Sequence, residues 1–371
     1  MKRAGKRKRV ARKATKPQQA SKKAKRCMRK LVKVVLVVAV NLLVFVVLLY
    51  CVECYFWLTD PQRKLPPKRV YKNGTEYTWG HPIYRNSYGF RERDFAVPKA
   101  KGTKRVMILG DSLSWGVGVP DRKRYSNILQ DKLKPFSIEV LNLALPGGSP
   151  QHYRSTLLSM GKAVQPDLIL VGFCLNDPQT KTMRWSAEWE EWDRRYRRTL
   201  DKLKSGCASV GLKRLGQRLD KTICRLAEVF GAYPHWTEAL DRCYDVNSRE
   251  WHDYIKALTD IKHISDDMNL PPPIFAVLNQ AVYNDKPTDY GNPDKVLRIY
   301  LKWYHQAEKS SAELGYKTVS FENEIARELS DVPLGVNALD GHPCEQLHEV
   351  YASKLFEVLL EVLGKSSEHD N

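Results

Sequence analysis

Residues 106 to 112 constrain this chain more than any others. Val106, Met107, Ile108 and Leu109 run without a break into Gly110, Asp111 and Ser112. An apolar run closed by a turn reads as a strand buried on both faces, the mark of a parallel sheet. The turn lifts one serine hydroxyl off the sheet edge, and in open α/β sheets ligands bind in the crevice beyond the carboxyl ends of the strands. The same residues would also make an ordinary turn in which Ser112 caps the next helix.

A nucleophilic serine needs a base, and the base needs an orienting acid. Near the C-terminus Leu339, Asp340, Gly341, His342 and Pro343 form a Gly/Pro loop leading into an apolar-periodic run. Asp340 and His342 lie two residues apart there, and they too could be no more than a helix-entry turn. Acyl transfer also needs preorganised donors for an oxyanion. Two further apolar runs end in loops that could supply them. Val140 to Leu143 leads into Ala144, Leu145, Pro146, Gly147, Gly148 and Ser149; Leu168 to Phe173 leads into Cys174, Leu175, Asn176 and Asp177. Gly147 can offer a backbone N–H at close approach, with Gly148 as its rival, and Asn176 a side-chain amide.

These four segments, in this order, resemble the SGNH hydrolases, the GDSL esterase superfamily. Residues 110–114 match the block carrying the nucleophile, Asn142 to Gly147 the block carrying the oxyanion glycine, Asn176 the oxyanion asparagine, and Asp340 with His342 the last block. Residues 86–95 are similar to the lead-in of bacterial membrane-anchored members, and the resemblance covers roughly 84–180 and 270–362. It implies that Ser112 attacks an ester carbonyl, His342 takes its proton and Asp340 orients His342. It also implies that the N–H groups of Ser112 and Gly147, with the Asn176 amide, hold the oxyanion. No metal or other cofactor is implied, and Asp111 is expected to hold the turn. The chain departs from the family in one respect: only Gly341 stands between acid and base, where most members have two residues. His348 is the competing base, expected to take a surface or packing role within the following helix.

The net charge of +19 invites a nucleic-acid partner, but its distribution argues against one. Residues 1–33 hold 16 Lys or Arg and no Asp or Glu, so the other 338 residues carry only +3. That composition reads as a disordered basic tail. Val34 to Val52 follows, 19 residues without a charge, spanning roughly 28 Å against a bilayer core of about 30 Å. Tyr50, Tyr55, Phe56 and Trp57 suit an interfacial aromatic belt, and the basic excess places the N-terminal side in the cytoplasm. Tyr50 to Cys54 offers no small-residue site for signal or lipoprotein cleavage. A single-pass membrane protein is therefore expected: cytoplasmic tail 1–33, signal-anchor helix 34–52, a proline-bearing stalk over 53–83, and an exported domain over 84–371. In an exported domain disulfides can form; Cys207, Cys224 and Cys243 are close enough in sequence for one pair, with connectivity open.

Strands are expected at 104–109, 138–143, 167–173, 273–279 and 317–321, and helices near 124–134, 150–164, 293–314 and 345–363. This alternation predicts an α/β three-layer sandwich on a five-stranded, mostly parallel sheet, and the resemblance to the SGNH hydrolases implies a flavodoxin-like strand order. Residues 178–270 exceed a simple connection and read as a helical insertion. Within it Trp185, Trp189 and Trp192 recur at helical spacing, and residues 194–225 carry 11 Lys or Arg against 2 Asp or Glu. The insertion is expected to pack on the domain or to cap the site. The chain as a whole reads as an extracytoplasmic esterase, with acylated carbohydrate, lipid or cell-envelope material as substrate. Two alternatives stand beside it: an O-acyltransferase using a sugar hydroxyl in place of water, and an inactive glycan-binding protein.

Overall fold

In the computed structural model the run ending at Gly110 is a strand, Lys104–Gly110, buried from Arg105 onward. The structure describes residues 16–60, 63–179, 196–231, 236–280, 293–329, 332–337 and 339–364. In chain order these form the helix α1 (Lys16–Thr59), the short strands β1 (Arg69–Lys72), β2 (Thr75–Thr78) and β3 (His81–Ile83), then β4 (Lys104–Gly110) and the one-turn helix α2 (Ser112–Trp115). Next come α3 (Tyr125–Leu133), β5 (Ile138–Asn142), α4 (Pro150–Val164), β6 (Leu168–Phe173), α5 (Arg198–Ser209) and α6 (Lys213–Val229). The remainder holds α7 (Trp236–Cys243), α8 (Arg249–Asp267), β7 (Ile274–Val277), α9 (Pro293–Glu313) and β8 (Lys317–Val319). It closes with α10 (Glu322–Glu328), β9 (Gly335–Asn337), β10 (Asp340–Pro343) and α11 (Glu345–Gly364).

Five strands make one parallel sheet in the order β5-β4-β6-β7-β8. The chain starts at β4, steps outward to β5, then crosses back to β6. The direction of winding therefore reverses beside β4, and the crevice at such a switch point is where doubly wound sheets bind ligands. Alternate residues of β4 serve opposite layers, because side chains alternate across a strand. Val106 and Ile108 join one core with Tyr125 and Leu129 of α3 and Leu347, Tyr351 and Leu355 of α11. Met107 and Leu109 join the other with Leu157 of α4, Trp251 and Tyr254 of α8, and Trp303 and Tyr304 of α9. Each such side chain contributes roughly 1.5–3 kcal/mol by leaving water. The three-layer α/β sandwich is thus as the apolar patterning foretold.

His348 is one of the residues filling the first core. It is fully buried, stacks on Tyr125 at 5.8 Å, and accepts the Tyr125 N–H at Nδ1, 3.3 Å away. Burial, with the nearby positive charges of Arg124 and Arg91, pulls its pKa down to about 3. The folded protein therefore binds one proton fewer than the unfolded chain between about pH 6.5 and 3. The stability this supplies is present above the unfolded pKa and disappears as pH falls through that window. His348→Phe keeps the ring stack but cannot be protonated. Acid denaturation of the variant should begin lower, with a loss across the window smaller by up to about 4 kcal/mol; identical pH-stability curves would refute this.

Several expectations are corrected. The basic tail does not stay irregular throughout, because α1 already begins at Lys16; Ala, Lys and Arg are strong helix formers and extend a helix nucleated next door. Residues 69–83, expected within a stalk, form the antiparallel sheet β1-β2-β3, where the turn residues Asn73 and Gly74 take the positive φ that a tight hairpin needs. Asp340 to Pro343 is not a helix-entry loop but a strand, β10, paired antiparallel with β9. Among the described residues all eight cysteines are free thiols. Trp185, Trp189 and Trp192 lie outside the described residues.

The described residues belong to two units. One is drawn from residues 61–195 and 227–371 and contains both cores and all three sheets. The other is drawn from residues 1–60 and 196–226, so the stretch 178–270 is divided between them. In this second unit residues 25–59 of α1 are long and apolar enough to cross a membrane. The Glu53 carboxylate accepts the N–H groups of Arg214 (2.9 Å) and Leu215 (2.7 Å) at the start of α6.

Candidate active site

β4 ends at Gly110, where a Cβ would lie 2.4 Å from Ser114 Oγ, so only glycine lets α2 turn back this tightly. Asp111 caps α2: its Oδ1 accepts the Leu113 N–H at 2.9 Å, while Oδ2 accepts the Ser112 hydroxyl at 3.0 Å. Asp111 is wholly buried and Ser112 half-buried. Asp111 thus holds the turn, as expected. The Ser112 N–H opens the helix and has no protein partner among the described residues. Asn142, at the end of β5, ties this turn to the next loop. Its Nδ2 donates to Ser114 O (2.7 Å) and Ser126 Oγ (2.9 Å), and its Oδ1 accepts the Ala144 N–H (3.1 Å).

The loop after β5 is a tight turn in which the Gly148 N–H donates to Leu145 O at 2.9 Å. Pro146 and Gly147 occupy its centre, with Gly147 at φ +73°, the arrangement of a type II turn. The turn therefore consumes the Gly148 amide and leaves that of Gly147 without a protein partner among the described residues. Gly147 and Asn176 line one pocket of about 370 Å³ with Leu145, Pro146, Gly148, His152 and Gln179. The Asn176 Oδ1 is buried and unbonded. Behind Asn176, Asp177 accepts the Tyr153 hydroxyl at 2.7 Å and the Cys174 N–H at 3.2 Å. Burial and the charge of Asp111 push the Asp177 carboxyl well above its usual range. Burial raises the Cys174 thiol likewise, so it stays protonated.

α2 packs against β10, the strand bearing Asp340 and His342. In a strand, residues i and i+2 share a face, so the single intervening Gly341 still sets acid beside base. Asp340 Oδ1 accepts the His342 Nδ1–H and, at 3.2 Å, its backbone N–H. That leaves Nε2 as the ring nitrogen for chemistry. The other oxygen, Oδ2, accepts Trp79 Nε1–H and the Lys68 ammonium, each at 2.8 Å. Burial by itself would raise the Asp340 pKa, but the hydrogen bond and charge of His342, then Lys68 and Trp79, hold it well below the carboxylate range. The Ser112 hydroxyl points to Asp111 in this structure, and among the described residues no hydrogen bond joins it to His342.

Trp79 and Lys68 escaped the sequence reading, since they precede Asp340 by more than 250 residues in a stretch read as stalk. Both reach the candidate site through Asp340. Trp79→Phe removes a donor to a charged acceptor, an interaction of about 1.5–3 kcal/mol. Its kcat on an ester substrate should fall roughly tenfold or more with KM little changed. Lys68→Met should fall less, because the Lys68 side chain is half exposed and screened. Equal kcat in wild type and Trp79→Phe would refute this bracing. Among the described residues no group of three or more His, Cys, Asp or Glu is arranged to hold a metal ion.

No family model matches the chain, and no curated protein matches it in sequence. Solved structures similar to it include the psychrotrophic esterase EstA from Pseudoalteromonas sp., at 14% identity and a TM-score of 0.38, over 70% of this chain and 99% of that one. The acetylxylan esterase Axe2 from Geobacillus stearothermophilus is similar at 12% identity and a TM-score of 0.38, over 70% and 95% of the two chains. A protein from Desulfitobacterium hafniense named for the G-D-S-L family is similar at 11% identity and a TM-score of 0.38, over 69% and 99%. The likeness to these esterases and hydrolases is one of architecture.

Proposed function

We propose that this chain is a membrane-anchored SGNH-type serine esterase that removes short O-acyl groups from carbohydrate or cell-envelope material outside the cytoplasm. The observation that carries the reading is the packing of the Ser112 turn against the strand holding the hydrogen-bonded Asp340–His342 pair. Ser112 Oγ bonds to the acyl carbon while His342 Nε2 takes its proton. The carbonyl oxygen becomes an oxyanion held by the N–H groups of Ser112 and Gly147 and the Asn176 amide, one such donor being worth about 10²–10³ in rate. His342 returns the proton to the leaving alkoxide as the ester C–O bond breaks. Water, deprotonated by His342, then attacks the acyl carbon; the bond to Ser112 Oγ breaks, Oγ recovers the proton from His342, and the acyl group leaves as a carboxylic acid. Among the described residues, those lining the pocket at Gly147 and Asn176 include no Asp, Glu, Lys or Arg, which suits a short neutral acyl group on a polar alcohol. The basic residues ahead of the apolar part of α1 favour a cytoplasmic N-terminus and an exported catalytic unit.

The test is hydrolysis of p-nitrophenyl acetate by the full chain in detergent, with Ser112→Ala as control. Turnover that falls to the uncatalysed background in Ser112→Ala is expected. Turnover unchanged in that variant, or none from folded wild type on short or longer acyl esters, would sink the esterase reading. Acetylation of an added sugar at the expense of free acetate would instead make the same acyl-enzyme that of an O-acyltransferase.

A further inference from the structure

α6 carries two stripes. At 100° per residue, Leu215, Leu219, Ile223 and Leu226 share one side of the helix, and Arg214, Arg218, Lys221 and Arg225 share the adjoining side. In a soluble domain the apolar stripe would be the buried one. Here Leu219 and Ile223 are each 38% exposed and Leu226 50%. Residues 196–226 carry 9 Lys or Arg against 2 Asp or Glu.

The start of α6 is fixed to one end of the apolar part of α1. Tyr50 donates its hydroxyl to Val210 O at 2.6 Å, across a turn in which Gly211 has φ +79°. Glu53, nearly buried, caps the first N–H groups of α6. Arg214 pairs with Asp60 at 3.1 Å, and the Arg218 guanidinium lies 5.5 Å from the Phe56 ring. These contacts fall among Tyr50, Tyr55, Phe56 and Trp57, the aromatic belt at which a spanning α1 would leave the hydrocarbon. An exposed apolar stripe held at that depth faces lipid, and cations flanking it face headgroups.

We infer that α6 lies in the membrane interface, its Leu219, Ile223 and Leu226 stripe in the leaflet at the C-terminal end of α1 and its Lys221 and Arg225 against anionic phospholipid headgroups. The inference rests on α1 crossing a bilayer and is independent of the esterase reading. The lipid contact adds a second attachment to a single-span anchor.

The full chain, with Cys27, Cys51, Cys54, Cys207 and Cys224 replaced by serine, is reconstituted in nanodiscs of phosphatidylcholine and phosphatidylglycerol. A polarity-sensitive fluorophore is placed on Leu226→Cys, on Gln217→Cys across the helix, or on Val44→Cys within α1. All three positions are solvent-exposed in the protein, so labelling leaves the packing intact. The expected result is a blue shift and quenching by acyl-chain nitroxide at 226 and 44, with quenching by aqueous iodide at 217. Lys221→Gln with Arg225→Gln, or phosphatidylcholine alone, should shrink the shift at 226. An aqueous signal at 226 alongside a lipid signal at 44 would overturn the inference. An aqueous signal at 44 would remove the span and the inference with it. Neither result bears on hydrolysis.

Discussion

Asp340→Asn is expected to lower kcat for ester hydrolysis by about 10⁴ while the protein still folds, and the surroundings of the carboxylate say why. Trp79 and Lys68 both donate to Oδ2. An asparagine must turn its carbonyl oxygen to that side, which directs its NH₂ toward His342. The imidazole then has to accept at Nδ1, so its proton moves to Nε2, the nitrogen that must take the serine proton. The base is thus held in the wrong tautomer rather than lost. The NH₂ also faces the His342 backbone N–H, which now donates to Asp340 at 3.2 Å, so some loss of stability should accompany the loss of rate. Steady-state kinetics, with circular dichroism to verify folding, checks this. A variant within tenfold of wild type would mean that Asp340 does not orient the base.

Arg91→Met should cost about 3–5 kcal/mol of stability, the range for breaking a buried charged network by removing one partner. Arg91 is 1% exposed, and its guanidinium donates to Gly116 O (2.6 Å), Val119 O (2.7 Å) and Asp121 Oδ1 (2.8 Å). It also lies 4.8 Å from the Trp115 ring. Burial, with repulsion from Arg124, lowers its pKa to about 10, which still leaves it charged at neutral pH. Methionine fills similar space but leaves the Val119 carbonyl without the guanidinium, while Gly116 O keeps only the Val119 N–H at 3.3 Å. Arg91→Lys should recover only part of the loss, since an ammonium lacks the planar fork that reaches several acceptors together. Chemical denaturation followed by tryptophan fluorescence measures both variants; a loss below about 1 kcal/mol in Arg91→Met would contradict the network. Because the loop it ties down follows directly on α2, kcat/KM should fall as well.

The sheet was legible because burial imprints itself locally. Val106 to Leu109, Val140 to Leu143 and Leu168 to Phe173 are apolar without interruption, as strands covered on both faces must be. The structure gives them as β4, β5 and β6 within a residue or two of the expected bounds. The loops bearing Ser112, Gly147 and Asn176 were legible for the same reason, since each directly follows such a run. The strand character of Asp340 to Pro343 was not, because Gly341 and Pro343 carry no strand signal and the pairing comes from β9. The choice between Gly147 and Gly148 also lay beyond the sequence, because it depends on which amide closes the turn.

The sequence by itself determined the doubly wound α/β architecture, the order of the candidate site loops and a helix apolar enough to cross a membrane, all properties of short contiguous segments. Only the tertiary structure decided what surrounds them. It set Trp79 and Lys68 on Asp340, sent His348 into the core, linked Tyr153 to Asp177, and docked α6 on the end of α1 across about 160 residues of chain. The physical reason is that burial and turn chemistry repeat along the chain and can be read residue by residue. A hydrogen bond between distant side chains depends on where the whole topology brings them, and many other polar residues of the chain could have served equally well on composition alone.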